Sequence, residues 1–384
     1  MMIEKEEGED ITESLMKNIY KEKDIENYTG IKNYNSKDYL SQKKYYKEKF
    51  SKSIHKELSF HKKRIYSMDW LENNTGTILV TGSSDNSIKV WDLNNTINSS
   101  NKENISLLTI NSHDETVNNI ASRNNNVNQF LSSSNDKHIK FWDIRTNISN
   151  NNKFNICKAS FDKIEKEEIK HLKFNNSGTQ FAFMNKDGNV IYLYDLGKFQ
   201  EIQQINFKPF INDFTFDKND KKILASSEDG NVYLINLENI NNRQAILGSL
   251  FQLDTIDIDK ENKNFITGGN DGILVTYDMD ELMSSKAYKQ SEQSIKQIMY
   301  SSDDRFISCI YDGKNVDFFS TELDTNVYTI YTNNLIHFMN WNKKRNVFVY
   351  VCDDKKGEDW KNKTKEENRN TNEGNAHFLI MPNF

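Results

Sequence analysis

Two sets of residues carry the ingredients of nucleophilic chemistry. His61, Thr81 and Asp85 recur as His113, Ser132 and Asp136. A carboxylate, an imidazole and a hydroxyl are what an acyl-transfer hydrolase combines, the first orienting the second and the second deprotonating the third. Each set also carries a tryptophan, Trp91 or Trp142, at the same spacing, and no Gly-x-Ser-x-Gly elbow is present to expose a serine. Carboxylate, imidazole, hydroxyl and indole N–H can instead close a buried network in which every group is satisfied. The two tetrads are therefore expected to be structural. Gly268-Gly269-Asn270-Asp271-Gly272 lacks the lysine of a phosphate-binding loop and opens no helix. Its glycines suit a turn that needs φ > 0. Asp353-Asp354 has no further ligands at cation-loop spacing. No catalytic, cofactor-binding or metal-ligating residue is expected.

The elements that position the tetrads are repeats. Thr81-Gly82-Ser83-Ser84-Asp85 through Trp91-Asp92 is echoed by Ser132-Ser133-Ser134-Asn135-Asp136 through Trp142-Asp143. A turn aspartate recurs at Asp85, Asp136, Asp187, Asp229, Asp271, Asp312 and Asp354, at intervals of 51, 51, 42, 42, 41 and 42 residues. A period of about 40–45 residues with a Trp-Asp ending is the signature of a WD repeat, a four-stranded propeller blade. Seven markers predict an all-β, seven-bladed WD-repeat β-propeller with a polar N-terminal extension. The two long intervals hold Asn/Ser-rich loops at 94–104 and 147–153. The Trp-Asp ending decays to Tyr194-Asp195, Ile235-Asn236, Tyr277-Asp278 and Phe318-Phe319. Bulk against the neighbouring blade survives there; the indole N–H does not.

Composition sets the outer limits. Of 384 residues, 36% are hydrophobic and 12% aromatic, which suits thin sheet cores packed by rings. The net charge of −6 does not favour a protein that grips nucleic acid over its whole surface. Cys157, Cys309 and Cys352 make no CxxC pair, so neither a zinc site nor a disulfide framework is expected, and a reducing compartment is. Residues 1–10 are acidic without an apolar run, so a signal peptide is not expected. No stretch reaches membrane-span length.

Two domains are expected: a polar extension at 1–53, disordered or partner-docking, and the propeller at 54–384. A ring needs its ends joined, and the strand missing from the last blade is assigned to residues 54–60. Residues 353–375 are nearly all charged or Asn, with Trp360 the one large apolar residue, and are expected to form a loop.

Three residues are candidate partner contacts: Lys63 and Arg64 in the run Lys62-Lys63-Arg64, and Arg145 in Trp142-Asp143-Ile144-Arg145. The last stretch looks like the WDxR motif of cullin-type ubiquitin ligase receptors, although arginine there is common in ordinary WD blades. Lys343-Lys344-Arg345 is a second basic run.

The order of the blades resembles the WD-repeat subunit family of THO complexes, from about Tyr46 to Asn383. The stretches that carry it are His61 to Trp70, His113 to Val117, Asp136 to Thr146, Asn185-Lys186-Asp187, Asp278 to Leu282 and Cys352 to Gly357. The resemblance implies a non-catalytic scaffold subunit, in the nucleus, of an assembly coupling transcription to mRNA processing and export. Its expected partners are the large helical THO scaffold subunit and other THO subunits. No direct nucleic-acid contact, membrane or small-molecule substrate is implied. The alternative is a WD-repeat adaptor of another assembly, such as a cullin-type ligase receptor or a histone-binding platform.

Overall fold

Burial on two faces fixes the strands. In Ile65–Leu71 the side chains of Ile65, Met68 and Trp70 enter one apolar cluster and that of Leu71 another, and Tyr66 is the exposed one, the habit of a strand packed on both faces of its sheet. The computed structural model describes residues 36–71, 78–93, 106–147 (save 112, 125 and 127), 157–161, 168–354 and 373–380. Residues 1–35, nearly all of the expected loops 94–104 and 147–153, and residues 355–372 of the charged insertion with Trp360 lie outside the described residues. Contacts divide the chain into two units, Met1–Tyr45 and Tyr46–Phe384.

The second unit is a seven-bladed propeller, each blade a four-stranded antiparallel sheet. After β1 (Ile54–His61), blade one runs β2–β5 (Ile65–Leu71, Ile78–Ser83, Ile88–Asp92, Leu108–Ile110) and blade two β6–β9 (Val117–Ser122, Gln129–Ser134, Ile139–Asp143, Cys157–Phe161). Blade three is β10–β13 (Ile169–Phe174, Gln180–Asn185, Val190–Asp195, Gln200–Asn206) and blade four β14–β17 (Ile211–Phe216, Lys222–Ser227, Asn231–Asn236, Asn239–Leu247). Blade five is β18–β21 (Leu253–Ile258, Asn264–Gly269, Ile273–Asp278, Ser284–Lys289) and blade six β22–β25 (Ile295–Tyr300, Phe306–Tyr311, Asn315–Ser320, Thr325–Tyr331). Blade seven joins β26–β28 (Ile336–Trp341, Val347–Asp354, Glu373–Ile380) to β1, which pairs with β28 from Ile54 opposite Ile380 to His61 opposite Gly374. The closing strand thus comes from the expected segment. The first strands of successive blades neighbour one another around the circle, β26 meeting β2, so they line the centre. Between blades lie apolar clusters; one joins Trp70 and Leu79 of blade one to Val349 and Phe378 of blade seven.

Two devices repeat from blade to blade. Every pairing of a first with a second strand carries a bulge at the second residue of the first strand: Tyr66, Asn118, Lys170, Asn212, Asp254, Lys296 and His337. A bulge re-aims the side chain it releases from the ladder. The second device is a latch in the turn after the first strand. Asp220 accepts the N–H groups of Asn176 and Ser177, the Asn262 carboxamide oxygen that of Lys218, and Asp304 that of Lys260. Each clamps the preceding blade. All three latch residues have φ of 55–59°, a region that Asn and Asp tolerate better than most residues.

Residues 36–51 form α1 (Ser36–Ser51), a stretch without glycine or proline. Tyr46 and Phe50, in its last two turns, pack on blade six. Phe50 is fully buried, stacked on Tyr328 at 5.0 Å and edge-on to Phe306 at 5.2 Å. Tyr46 is edge-on to Phe306 and donates its hydroxyl to Glu322 at 2.9 Å.

Candidate functional site

The tetrads lie at the start of blades one and two. In blade one, the neighbourhood of His61 and the turn after β3 bring together His61, Thr81, Asp85 and, from β4, Trp91. A carboxylate only accepts, so His61 Nδ1 donates to Asp85 at 3.0 Å. Nε2 then accepts the Thr81 hydroxyl at 2.7 Å, and Trp91 Nε1 donates to Thr81 Oγ1 at 3.0 Å. Blade two repeats this with Asp136 at 2.8 Å, Ser132 at 2.7 Å and Trp142 at 2.7 Å. Burial lowers the pKa of both histidines, against the pull of their carboxylates, and keeps them neutral. Burial alone would raise Asp85 and Asp136, but the bonds and charge of His61 and His113, added to the hydrogen bonds from Ser87 in one turn and from Asp114 and His138 in the other, together outweigh it and hold both below the usual range.

The connectivity is that of a catalytic triad; its accessibility is not. Thr81 and Ser132 are fully buried, and an indole N–H already occupies each hydroxyl oxygen. A nucleophile needs room for an electrophile and an oxyanion site beside it. This arrangement fits fixing the turn: Asp85 also accepts the N–H groups of Lys62 and Ser87, and Asp136 those of Asp114 and His138.

The later markers do different things. Asp187, Asp229, Asp271 and Asp312 stand in the turns between second and third strands. Asp229 accepts Tyr233 Oη at 2.8 Å, and Asp271 accepts Ser249 Oγ at 2.6 Å. Tyr277 takes the tryptophan position of blade five and donates to Gly248 O at 2.9 Å. Within the Gly-rich stretch, Gly272 has φ +69°, and a Cβ on Gly269 would collide with Gln252 O, so backbone conformation accounts for the first and packing for the second. Asp354 differs from the expected turn position: it ends β27 opposite Glu373, because the long insertion lets the two strands run on.

The candidate partner contacts are not brought together. Lys63 and Arg64 precede β2, on the side of the sheets that carries the bulge residues, and the Arg64 guanidinium lies 5.9 Å from the Tyr66 ring centre. Arg145 follows β8, at the opposite end of its sheet. It is held in a fork on Asp143, Nε at 3.0 Å and Nη2 at 2.7 Å, and Gln129 donates to the same carboxylate. The side bearing Lys63 also carries large exposed apolar residues: Phe210, Leu250, Phe251 and Leu335 in the connections between blades, and Tyr331 at the end of β25. Sequence reading missed the latches, although Asp220, Asn262 and Asp304 are spaced by 42 residues each. It also missed the seating of Tyr46 and Phe50, which no period announces.

Among the described residues no cluster of three or more His, Cys, Asp or Glu could hold a metal ion, and no helix is long and apolar enough to cross a membrane. The WD domain, G-beta repeat family matches residues 52–92 and 104–143. The chain is 21% identical over 305 residues to THO complex subunit 3 of Arabidopsis thaliana, covering 79% of this chain and 91% of that one. It is 24% identical over 196 residues to histone acetyltransferase type B subunit 2 of Candida glabrata, covering 50% and 46% of the two chains. It is 22% identical over 276 residues to WD repeat-containing protein AAC3 of Dictyostelium discoideum, covering 66% and 54%. Two matched WD repeats, a ring of seven blades and a relative aligned over nine-tenths of its length make this chain a WD-repeat propeller similar to THO complex subunit 3.

Proposed function

We propose that the protein is a non-catalytic scaffold subunit of a nuclear THO-type complex that couples transcription to mRNA processing and export. The observation that carries this reading is the alignment with THO complex subunit 3 over 91% of that protein's length. The ring's physics supports it. Its strands are consumed by their own sheets, which leaves connections free to vary and to bind. Phe210, Phe251 and Leu335, on the side with Tyr66, Lys63 and Arg64, are the anchors expected of such a contact. The partner is a large helical scaffold subunit together with other THO subunits. The polar extension 1–53 is a further docking element, with Tyr46 and Phe50 already seated on blade six. The test is affinity purification of the full chain from nuclear extract. Recovery of helical THO subunits is expected; a folded chain that recovers none refutes the reading.

A second reading, an adaptor of another assembly, is favoured by the Trp142-Asp143-Ile144-Arg145 stretch and by the match to histone acetyltransferase type B subunit 2. Co-purification of a cullin with its adaptor, or of histones, in place of THO subunits selects it. Arg145→Ala would then abolish recovery, since its fork on Asp143 aims a fixed guanidinium outward.

A further inference from the structure

Between blades five and six lies a cavity of about 300 Å³, at the lower end of the range of ligand pockets. It opens on the side of the sheets that carries the latches, away from Tyr66 and Phe210. Its walls include Asp259, Asp303, Asp304, Tyr288 and Tyr300.

Three observations give it a chemistry. First, Tyr300 is 9% exposed, and its hydroxyl makes no hydrogen bond within the protein although it lines the cavity. Such a hydroxyl is available to pair with whatever enters the cavity. Second, the cations of the lining are spent. Lys286 is bound to Asp324 at 2.5 Å and to Thr321 O, and Lys263 to Glu261 at 2.6 Å. Third, the carboxylates have oxygen lone pairs to spare. Asp304 takes one backbone N–H, that of Lys260, shared between its two oxygens, while Asp303 takes Ser301 Oγ and the Arg305 N–H and pairs with the Arg305 guanidinium at 3.8 Å, so Asp304 is the less engaged of the two. Burial first, then the nearby Asp259 and Asp257, push the Asp304 carboxyl up to about 6 against the opposing bond from Lys260 and charge of Lys218. An added cation would relieve that repulsion. The rings of Tyr288 and Tyr300 complete a surface suited to an alkyl stem bearing an ammonium head.

We propose that this cavity receives a lysine side chain of a protein partner docked on the latch side, its ammonium donating to Asp304 and to the Tyr300 hydroxyl. The proposal extends the scaffold reading to a second face, and its test does not use THO subunits.

The full chain is labelled with 3-fluorotyrosine and followed by fluorine NMR, the Tyr300 signal being the one lost in Tyr300→Phe. N-acetyl-lysine methylamide should move that signal, and its Nε-acetylated analogue should not. Asp304→Asn should weaken the binding about tenfold, the loss expected for one charge-assisted hydrogen bond. Asp280→Asn, outside the cavity, should leave it unchanged. Where Asp304→Asn does not fold, Asp303→Asn replaces it, with a loss in the same direction. A Tyr300 signal unmoved by the amine, equal response to the acetylated probe, or affinity within about twofold in the cavity variant overturns the proposal. A moved signal with no recovery of THO subunits refutes the function proposed above and leaves the cavity standing; the converse pair of results does the reverse.

Discussion

Removing the turn carboxylate should damage the two tetrads unequally. In Asp136→Ala, His113 Nδ1 loses its acceptor in a side chain that is 0% exposed, at a cost of roughly 1–3 kcal/mol for an unpaired buried donor. The N–H groups of Asp114 and His138 lose theirs too. Water can reach them in part, so each adds only about 0.5–1 kcal/mol, for a total near 3 kcal/mol. In Asp85→Ala the same losses begin and Ser87 Oγ loses its acceptor as well, but that hydroxyl, released from Asp85, already lies 3.2 Å from His61 Nδ1 and can turn to accept its proton. Blade two has His138 at that place in the turn, with no hydroxyl to offer. Asp85→Ala should therefore cost about 1 kcal/mol less than Asp136→Ala, one hydrogen bond's net worth. Adding Ser87→Ala to Asp85→Ala should erase the difference. Guanidinium denaturation followed by tryptophan fluorescence measures all three variants on one scale. Equal or reversed losses for the two aspartates would refute the argument from Ser87. Unchanged stability with lost partner binding would refute the structural role of the tetrads altogether.

Other outcomes follow from particular contacts. Phe50→Ala should destabilise the ring by about 3 kcal/mol, the low end for a buried phenylalanine, seen as a lower denaturation midpoint; no shift would mean that α1 adds nothing to blade six. Stability should fall as pH drops below about 6.5, the unfolded histidine pKa. Burial keeps His61 and His113 neutral in the fold, and desolvation with the charges of Lys173 and Lys170 lowers the part-exposed His171 to about 4, so the unfolded chain takes up more protons there and the contribution present above that pH is lost on acidification. His171→Gln should flatten the slope between pH 6.5 and pH 4, and an unaltered pH profile would refute this. Val349→Thr should be neutral or stabilising within about 1 kcal/mol, because the buried Trp70 indole lacks an acceptor where blade six supplies Ser308 Oγ to Trp341 at 2.8 Å; a larger loss in thermal denaturation counts against it. Deleting 355–370 should leave the melting temperature unchanged, since β27 and β28 pair from Asp354 opposite Glu373 onward; loss of the ring would contradict that.

The blade count was legible because a turn aspartate is a local requirement repeated at the blade period. Even where Tyr277 or Phe318 stands in for tryptophan, Asp271 and Asp312 keep the register. The closing strand was legible as a deficit, a sheet one strand short. What escaped depends on pairs without a shared period. Arg145 reads as a free cation until Asp143, two residues earlier, is seen to hold it. Tyr300 reads as an ordinary strand aromatic, because only the packing of two blades decides whether its hydroxyl finds a partner. Phe50 reads as part of a charged segment, because its three aromatic neighbours lie more than 250 residues away in sequence.

The seating of Tyr46 and Phe50 has a mechanical consequence. The chain leaves blade six at Phe50 and enters blade seven at Ile54, so the two fastenings of the N-terminal side are in series. A pull transmitted through the extension loads the aromatic contacts of blade six before it reaches the ladder of β1. Those contacts act as a strain relief: a partner tugging on the extension would have to draw Phe50 out from between Phe306, Phe318 and Tyr328 before it could begin to unzip the seam that closes the ring.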